Sequence, residues 1–140
     1  MSYEKNDRFC RISIIFKNNN LLCNKRGDNM LKIDIEYKKG ILFVRLIGDV
    51  NKSTINEMKI VDNMIKRAGI KYLLINLEKV AIIRPDEISK MINKYKNLIG
   101  DDGKLVICGY YNPMNLSINT ENNKVYISGQ EKNAFNIINI

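Results

Sequence analysis

The chain has no histidine and no tryptophan, only two prolines, and three cysteines in 140 residues. Without an imidazole there is no His-based catalytic triad, no His-bound metal and no His acid–base pair. Cys10, Cys23 and Cys108 are odd in number and lack ligand spacing. Neither a zinc site nor a disulfide framework is indicated, and a reducing cytosol fits. Long apolar runs are missing too: Ile14 to Phe16 and Leu21 to Cys23 are too short for a signal segment or a membrane span. No G-x-G-x-x-G and no phosphate loop occurs, so nucleotide enzymes lose ground and no cofactor is expected.

What is present suits one soluble domain with a buried core: 45% hydrophobic and 27% charged residues. The formal net charge is +8, of which Met1 to Asn29 contributes six basic and three acidic residues, leaving +5 for Met30 to Ile140. No Arg-rich stripe or aromatic-basic repeat accompanies that charge, so nucleic-acid binding ranks below a solvated Lys-rich surface.

The first 29 residues show no sustained period and end in Lys25-Arg26-Gly27-Asp28-Asn29 before Met30. The codons open to that pentapeptide include an AGGAG-like ribosome-binding sequence. Residues 1–29 are therefore read either as a translated leader from a mis-chosen start or as a disordered or partly helical arm. The domain is read as residues 30–140.

From Met30 the pattern is regular. Ile33, Ile35 and Tyr37 alternate with Asp34, Glu36 and Lys38 as in a half-exposed strand, and Lys39-Gly40 turns into a second strand, Ile41 to Ile47. Thr54 and Glu57 have capping-box spacing ahead of Met58, Val61, Ile65 and Ala68, and Gly69 ends that helix. Tyr72 to Leu77 reads as a central strand covered on both faces. Ile88, Met91, Ile92, Tyr95, Leu98 and Ile99 form one helical face, with Lys90, Asn93, Lys94, Lys96 and Asn97 opposite. Lys104 to Cys108 and Lys124 to Ile127 read as strands, with a poorly patterned Asn112 to Asn123 between them. Ser128 and Glu131 have capping-box spacing before Ala134, Phe135 and Ile138, a closing helix. The predicted class is α/β: an N-terminal hairpin, then parallel β-α units in a mixed sheet flanked by helices.

This order, with "LFVRLIGDVNKSTINEM" (Leu42 to Met58) and "KYLLINLEKVAIIRPDEISKMI" (Lys71 to Ile92), resembles the STAS domain and, within it, the bacterial anti-sigma factor antagonists. The resemblance spans about Leu31 to Ile138. It implies a STAS-like fold and a protein-binding regulator of transcription whose partner is an anti-sigma factor, a GHKL-type serine kinase. Family members carry Gly and an acid at the end of an early strand, matched by Gly48 and Asp49. They carry Asp-Ser-Ser/Thr-Gly at a helix start, and here the sequence departs. Arg84 falls on the Asp, Pro85 on the first Ser, Asp86 on the phosphoacceptor and Glu87 on the Gly. Asp86 thus places a carboxylate where the family is phosphorylated, which implies a non-switching version. A single charge is an imperfect copy of phosphoserine, which carries about −1.5 to −2.

The same residues have a purely structural reading. Proline at the first helical position costs no hydrogen bond, and Asp86 and Glu87 in the first turn face the positive end of the helix dipole, each contributing about 0.3–1 kcal/mol. Arg84 is expected at the rim, where it pairs with Asp86 or Glu87 at the surface or meets a partner. Ser53, Thr54 and Ser89 carry hydroxyls near the presumed partner surface, or serve as caps and solvated residues. Asp101 and Asp102 read as turn residues, and Cys108 as a small buried hydrophobe. Tyr110 and Tyr111 form a contact patch or cover the sheet's end. Two function classes follow. One is a cytoplasmic, non-enzymatic STAS-like module that uses Gly48, Asp49, Ser53, Thr54, Arg84, Pro85, Asp86, Glu87, Ser89 and Tyr110 to meet its partner. The other is a small α/β ligand-binding protein or enzyme using Asp49, Asp86 and Tyr110 at strand ends.

Overall fold

The computed structural model describes residues 10–16, 30–82, 84–110 and 124–138. Its elements are β1 (Cys10–Phe16), β2 (Leu31–Lys38), β3 (Ile41–Asp49), α1 (Thr54–Glu57), α2 (Lys59–Ala68), β4 (Tyr72–Ile82), α3 (Pro85–Leu98), β5 (Lys104–Cys108), β6 (Val125–Ser128) and α4 (Glu131–Ile138). The strands make one mixed sheet in sequence order, β1-β2-β3-β4-β5-β6. The first two pairings are antiparallel and the remaining three are parallel.

Local chemistry explains the punctuation. Lys38 pairs directly with Ile41, so the β2–β3 loop holds only Lys39 and Gly40, both at positive φ (54° and 82°), as a tight hairpin turn requires. Helix α2 ends where Gly69 takes a left-handed conformation and its N–H caps the Ile65 carbonyl. The parallel strands then need crossovers, which α1–α2 and α3 supply.

Alternation along β3, β4 and β5 sends two sets of side chains in opposite directions. Leu42, Val44, Leu46, Leu73, Ile75, Leu77, Leu105 and Ile107 meet Val61, Ile65, Ile88, Met91, Ile92 and Tyr95 from α2 and α3. On the other side Ile41, Phe43, Leu74, Val106 and Cys108 meet Ala134 and Ile138 of α4. Each such large side chain, wholly buried, contributes about 1.5–3 kcal/mol relative to exposure.

Ahead of Met30, Cys10–Phe16 forms a strand on β2, with Arg11 and Ser13 bonded to Asp34 and Ile12 and Ile14 leaning on the helix-side core. Several expectations need correcting. Asp34 and Glu36 do not face solvent but are 4% and 5% exposed, because Arg45 of β3 and Arg11 of β1 cover them. Neither capping box forms. The Thr54 hydroxyl accepts the Asn51 N–H (2.8 Å), the Ser128 hydroxyl donates to the Gln130 carbonyl (3.0 Å), and Glu131 turns to Arg45. Lys96, placed on the solvent side of α3, is buried. The weak segment Asn112 to Asn123 and Tyr111 lie outside the described residues.

Candidate functional site

The hinge "RPDE" lies between β4 and α3, at the carboxyl ends of the parallel strands. Arg84 is extended (φ −118°, ψ 100°), the conformation that a following proline enforces. Pro85 opens α3 without forfeiting a helical hydrogen bond, and the Ile88 N–H closes the first turn on the Arg84 carbonyl at 3.0 Å. Asp86 is exposed, while Glu87 is 9% exposed and sits 3.7 Å from Lys90.

Arg84 pairs with neither acid of its own helix. Its Nη1 reaches the Asp49 carboxylate at 2.5 Å and donates to the Val50 carbonyl at 2.6 Å. Asn51 Nδ2 donates to the other Asp49 oxygen at 2.9 Å, and Asn51 Oδ1 accepts from the Ser53 N–H (2.9 Å) and hydroxyl (2.7 Å). One chain of hydrogen bonds therefore ties the start of α3 to the loop after β3. Burial alone would raise the Asp49 carboxyl, but the hydrogen bonds from Arg84 and Asn51 and the Arg84 charge take it below its ordinary value. Glu57 goes the other way: burial, then the neighbouring Asp49 charge, pushes it up.

Gly48 makes this geometry possible. Its φ of 111° lies outside the range of L side chains, and a Cβ there would collide with the Met30 carbonyl oxygen. The sheet shifts register between Gly48 and Asp49, and the Asp49 N–H donates to that same carbonyl at 3.1 Å.

Of the ten residues named from sequence, Gly48, Asp49, Ser53, Arg84, Pro85, Asp86 and Glu87 gather around the hinge. Five of the ten are buried rather than displayed: Asp49, Thr54, Glu87, Ser89 and Tyr110 are 7%, 1%, 9%, 7% and 4% exposed. Tyr110 belongs to the helix-side core, and its hydroxyl has no hydrogen-bond partner among the described residues. Burial raises its pKa. The carboxylates proposed for acid–base work are not assembled either, since Asp49 is held by Arg84 and Asn51 while Asp86 faces out. Cys108 is a buried free thiol, pushed up to about 12 by burial and then by the charges of Glu131 and Glu78. Asp101 and Asp102 stand near Lys124 (3.9 Å) and Lys71 (3.8 Å) in the turn after α3.

Two features escaped the sequence reading. Ile82, the last residue of β4, is 54% exposed beside the hinge. Its signal was the apolar run Val80 to Ile83 continuing past the buried part of the strand. The second is a charged groove of about 490 Å³ on the α4 side of the sheet, lined by Arg11, Lys32, Asp34, Arg45, Leu46, Ile47, Asn76, Glu78, Lys79 and Glu131. Arg45 forms its floor, bonding Glu131 through Nε (2.7 Å) and Nη2 (3.0 Å) and reaching Glu36 (2.8 Å) and Asp34 (3.3 Å). Asn76 Nδ2 also donates to Glu131 at 2.7 Å. Burial opposes ionisation of Asp34 and Glu131, yet hydrogen bonds from Arg11 and Ser13 to the first, and from Arg45 and Asn76 to the second, hold both below their ordinary values. The groove includes none of Asp49, Asp86 and Tyr110. An arginine inside the apolar run Ile41 to Ile47 was the available signal.

No family model matches the chain. An anti-sigma F factor antagonist from Paenibacillus polymyxa is 22% identical over 85 residues, 60% of this chain and 73% of that protein. The structure of the anti-sigma factor antagonist SpoIIAA in its unphosphorylated form superposes with a TM-score of 0.56 at 11% identity, over 76% of this chain and 96% of that one. Among the described residues no helix is long and apolar enough to cross a membrane.

Proposed function

We propose that this chain, a STAS-domain protein of the anti-sigma factor antagonist type, is a cytoplasmic, non-enzymatic regulator of transcription that binds an anti-sigma factor, a GHKL-type serine kinase, through the hinge surface and does not switch by phosphorylation. The observation that carries this reading is Asp86. It stands exposed in the first turn of α3, on a surface braced by the Arg84–Asp49 pair, at the place where the resemblance puts a phosphorylated hydroxyl. The braced loop presents Ser53, and Ile82 adds exposed apolar area of the kind that anchors protein contacts. A fixed carboxylate keeps the antagonist in one charge state, so its partner is regulated by abundance rather than by modification.

The test is to titrate an anti-sigma kinase of the same genome against the wild type and Asp86→Ser, first without ATP and then with it. The wild type is expected to bind weakly and to accept no phosphate, and Asp86→Ser to bind more tightly without ATP. Equal affinities, with no phosphate on the introduced serine, would leave Asp86 as helix-start chemistry alone. Pro85 fixes the backbone just before the acceptor, so the ATP-free affinity is the decisive measurement.

A further inference from the structure

The groove on the α4 side of the sheet is separate from the hinge, and its charges divide into two groups. Those on the floor are mutually satisfied: Arg45 with Glu131, Glu36 and Asp34, Arg11 with Asp34, and Asn76 with Glu131. Those on the rim are not. Among the described residues Lys32, Lys79 and Glu78 make no ion pair, although all three line the groove.

Their placement follows from the register. Lys32 of β2 and Lys79 of β4 both pair with Ile47 of β3, so they stand in one cross-strand row on either side of it. Adjacent strands lie about 4.8 Å apart, which separates the two lysine backbones by roughly 10 Å and lets both ammonium groups converge over Ile47. The register shift between Arg45 and Ile47 brings Glu78 and Lys79 together onto this rim. Glu78 is anchored there by its N–H, which donates to Asn76 Oδ1 at 2.8 Å.

We propose that this groove binds a small phosphate monoester that carries hydroxyl groups, with the phosphate held between Lys32 and Lys79 and a hydroxyl donated to Glu78. The chemistry selects the class. Two ammonium groups carried on one cross-strand row match a phosphate of about −1.5 to −2 better than a carboxylate of one charge, and lysine serves phosphate as a point charge. The lone carboxylate of Glu78 accepts a hydrogen bond from a neutral hydroxyl and repels a second anionic group. A volume of about 490 Å³ is on the scale of a small metabolite, and the charged lining disfavours an apolar one. The floor needs no rearrangement, because its ion pairs already hold one another in place.

Glycerol 3-phosphate is the probe, titrated into the isotopically labelled full chain while amide resonances are followed, with glycerol and inorganic phosphate as comparisons. Saturable shifts centred on Lys32, Ile47 and Lys79 are expected with glycerol 3-phosphate, weaker ones with phosphate and none with glycerol. Joint Lys32→Gln and Lys79→Gln substitution should weaken binding at least about tenfold, since two charge-assisted contacts are removed. Glu78→Gln, an exposed change that leaves the floor intact, should tighten inorganic phosphate and erase the preference for the ester. Vesicles containing phosphatidic acid form a second arm. Binding to vesicles without saturable shifts from the soluble ester would overturn the proposal in favour of a lipid surface. Shifts spread over Lys66, Lys90 and Lys132, or unchanged by the double substitution, would overturn it as general charge attraction.

Discussion

Arg84 and Asp49, 35 residues apart in sequence, are joined by a 2.5 Å contact between Nη1 and Oδ1. The pair connects the end of β3 to the start of α3, so the loop after β3 and the hinge form one surface. The positive charge sits where the resemblance leads one to expect an acid, and it is spent on an acid within the chain.

Removing that charge should loosen the surface more than it lowers stability. Arg84 is 38% exposed, so solvent screens the pair, and Arg84→Met is expected to cost about 1 kcal/mol or less in urea denaturation near neutral pH. The folded Asp49 pKa is depressed, so its contribution is present above the unfolded carboxyl value and fades as pH falls below about 4. Wild type and Arg84→Met should therefore converge in stability at the acid end. A gap that stays constant from pH 7 to about pH 2.5 would show that the pair is not its source.

The floor of the groove should be more sensitive. Arg45→Met leaves Asp34, Glu36 and Glu131 without their shared cation, and a loss of about 1–3 kcal/mol is expected. Glu131→Gln keeps the shape and one acceptor, so it should cost less, about 0.5–1.5 kcal/mol. A double-mutant cycle measures the coupling, and additive losses would mean the two side chains act independently. Asp34 and Glu131 are also depressed, so the network weakens as pH falls below the ordinary carboxylate range.

The two sides of α3 should separate cleanly. Ile92 is wholly buried against the sheet, and Ile92→Ala is expected to cost roughly 2–5 kcal/mol by chemical denaturation. Lys94 is partly exposed and joins Asp62 of α2 at 2.7 Å, so Lys94→Ala should cost under about 1 kcal/mol. Similar losses for the two would mean the buried face is wrongly assigned.

The edge strand offers a test of where the domain starts. A chain beginning at Met30 should fold, since the main core lies within residues 30–138, but Asp34 would lose Arg11 and Ser13. A loss of more than about 1 kcal/mol is expected. Unchanged stability would assign β1 no structural part and favour a domain of residues 30–140.

The sequence was most readable where one period held for several turns. The turn at Lys39-Gly40, the apolar face from Ile88 to Ile99 and the buried run Tyr72 to Leu77 each had one plausible reading, and the structure has it. It was least readable where polar residues are buried by partners far away in sequence. Asp34, Glu36 and Lys96 follow the exposed half of the local pattern, and only Arg45, Arg11 and the packing of α3 put them inside. Glu131 has the spacing of a capping residue, yet a bidentate arginine on β3 outbids one backbone N–H. At the hinge the residue types were legible, but the partner of Arg84 was not, because a contact spanning 35 positions leaves no local trace.

The unequal lengths of the parallel strands carry a mechanical consequence. β5 stays beside β4 only as far as the Asn76–Cys108 pairing, whereas β3 follows β4 to Ile82. Among the described residues, then, the last part of β4, beyond Glu78 against whose backbone Gly109 lies, is a cantilever paired along one side only and continued at its tip by the start of α3. The Arg84–Asp49 contact acts as the strut that ties that tip back to the supporting strand. Past the Asn76–Cys108 pairing, the ladder hydrogen bonds that hold β4 run to β3 and not to β5. Amide exchange should reveal the lever: residues 79–82 should open well before Leu73 to Ile75, and earlier still once the strut is cut.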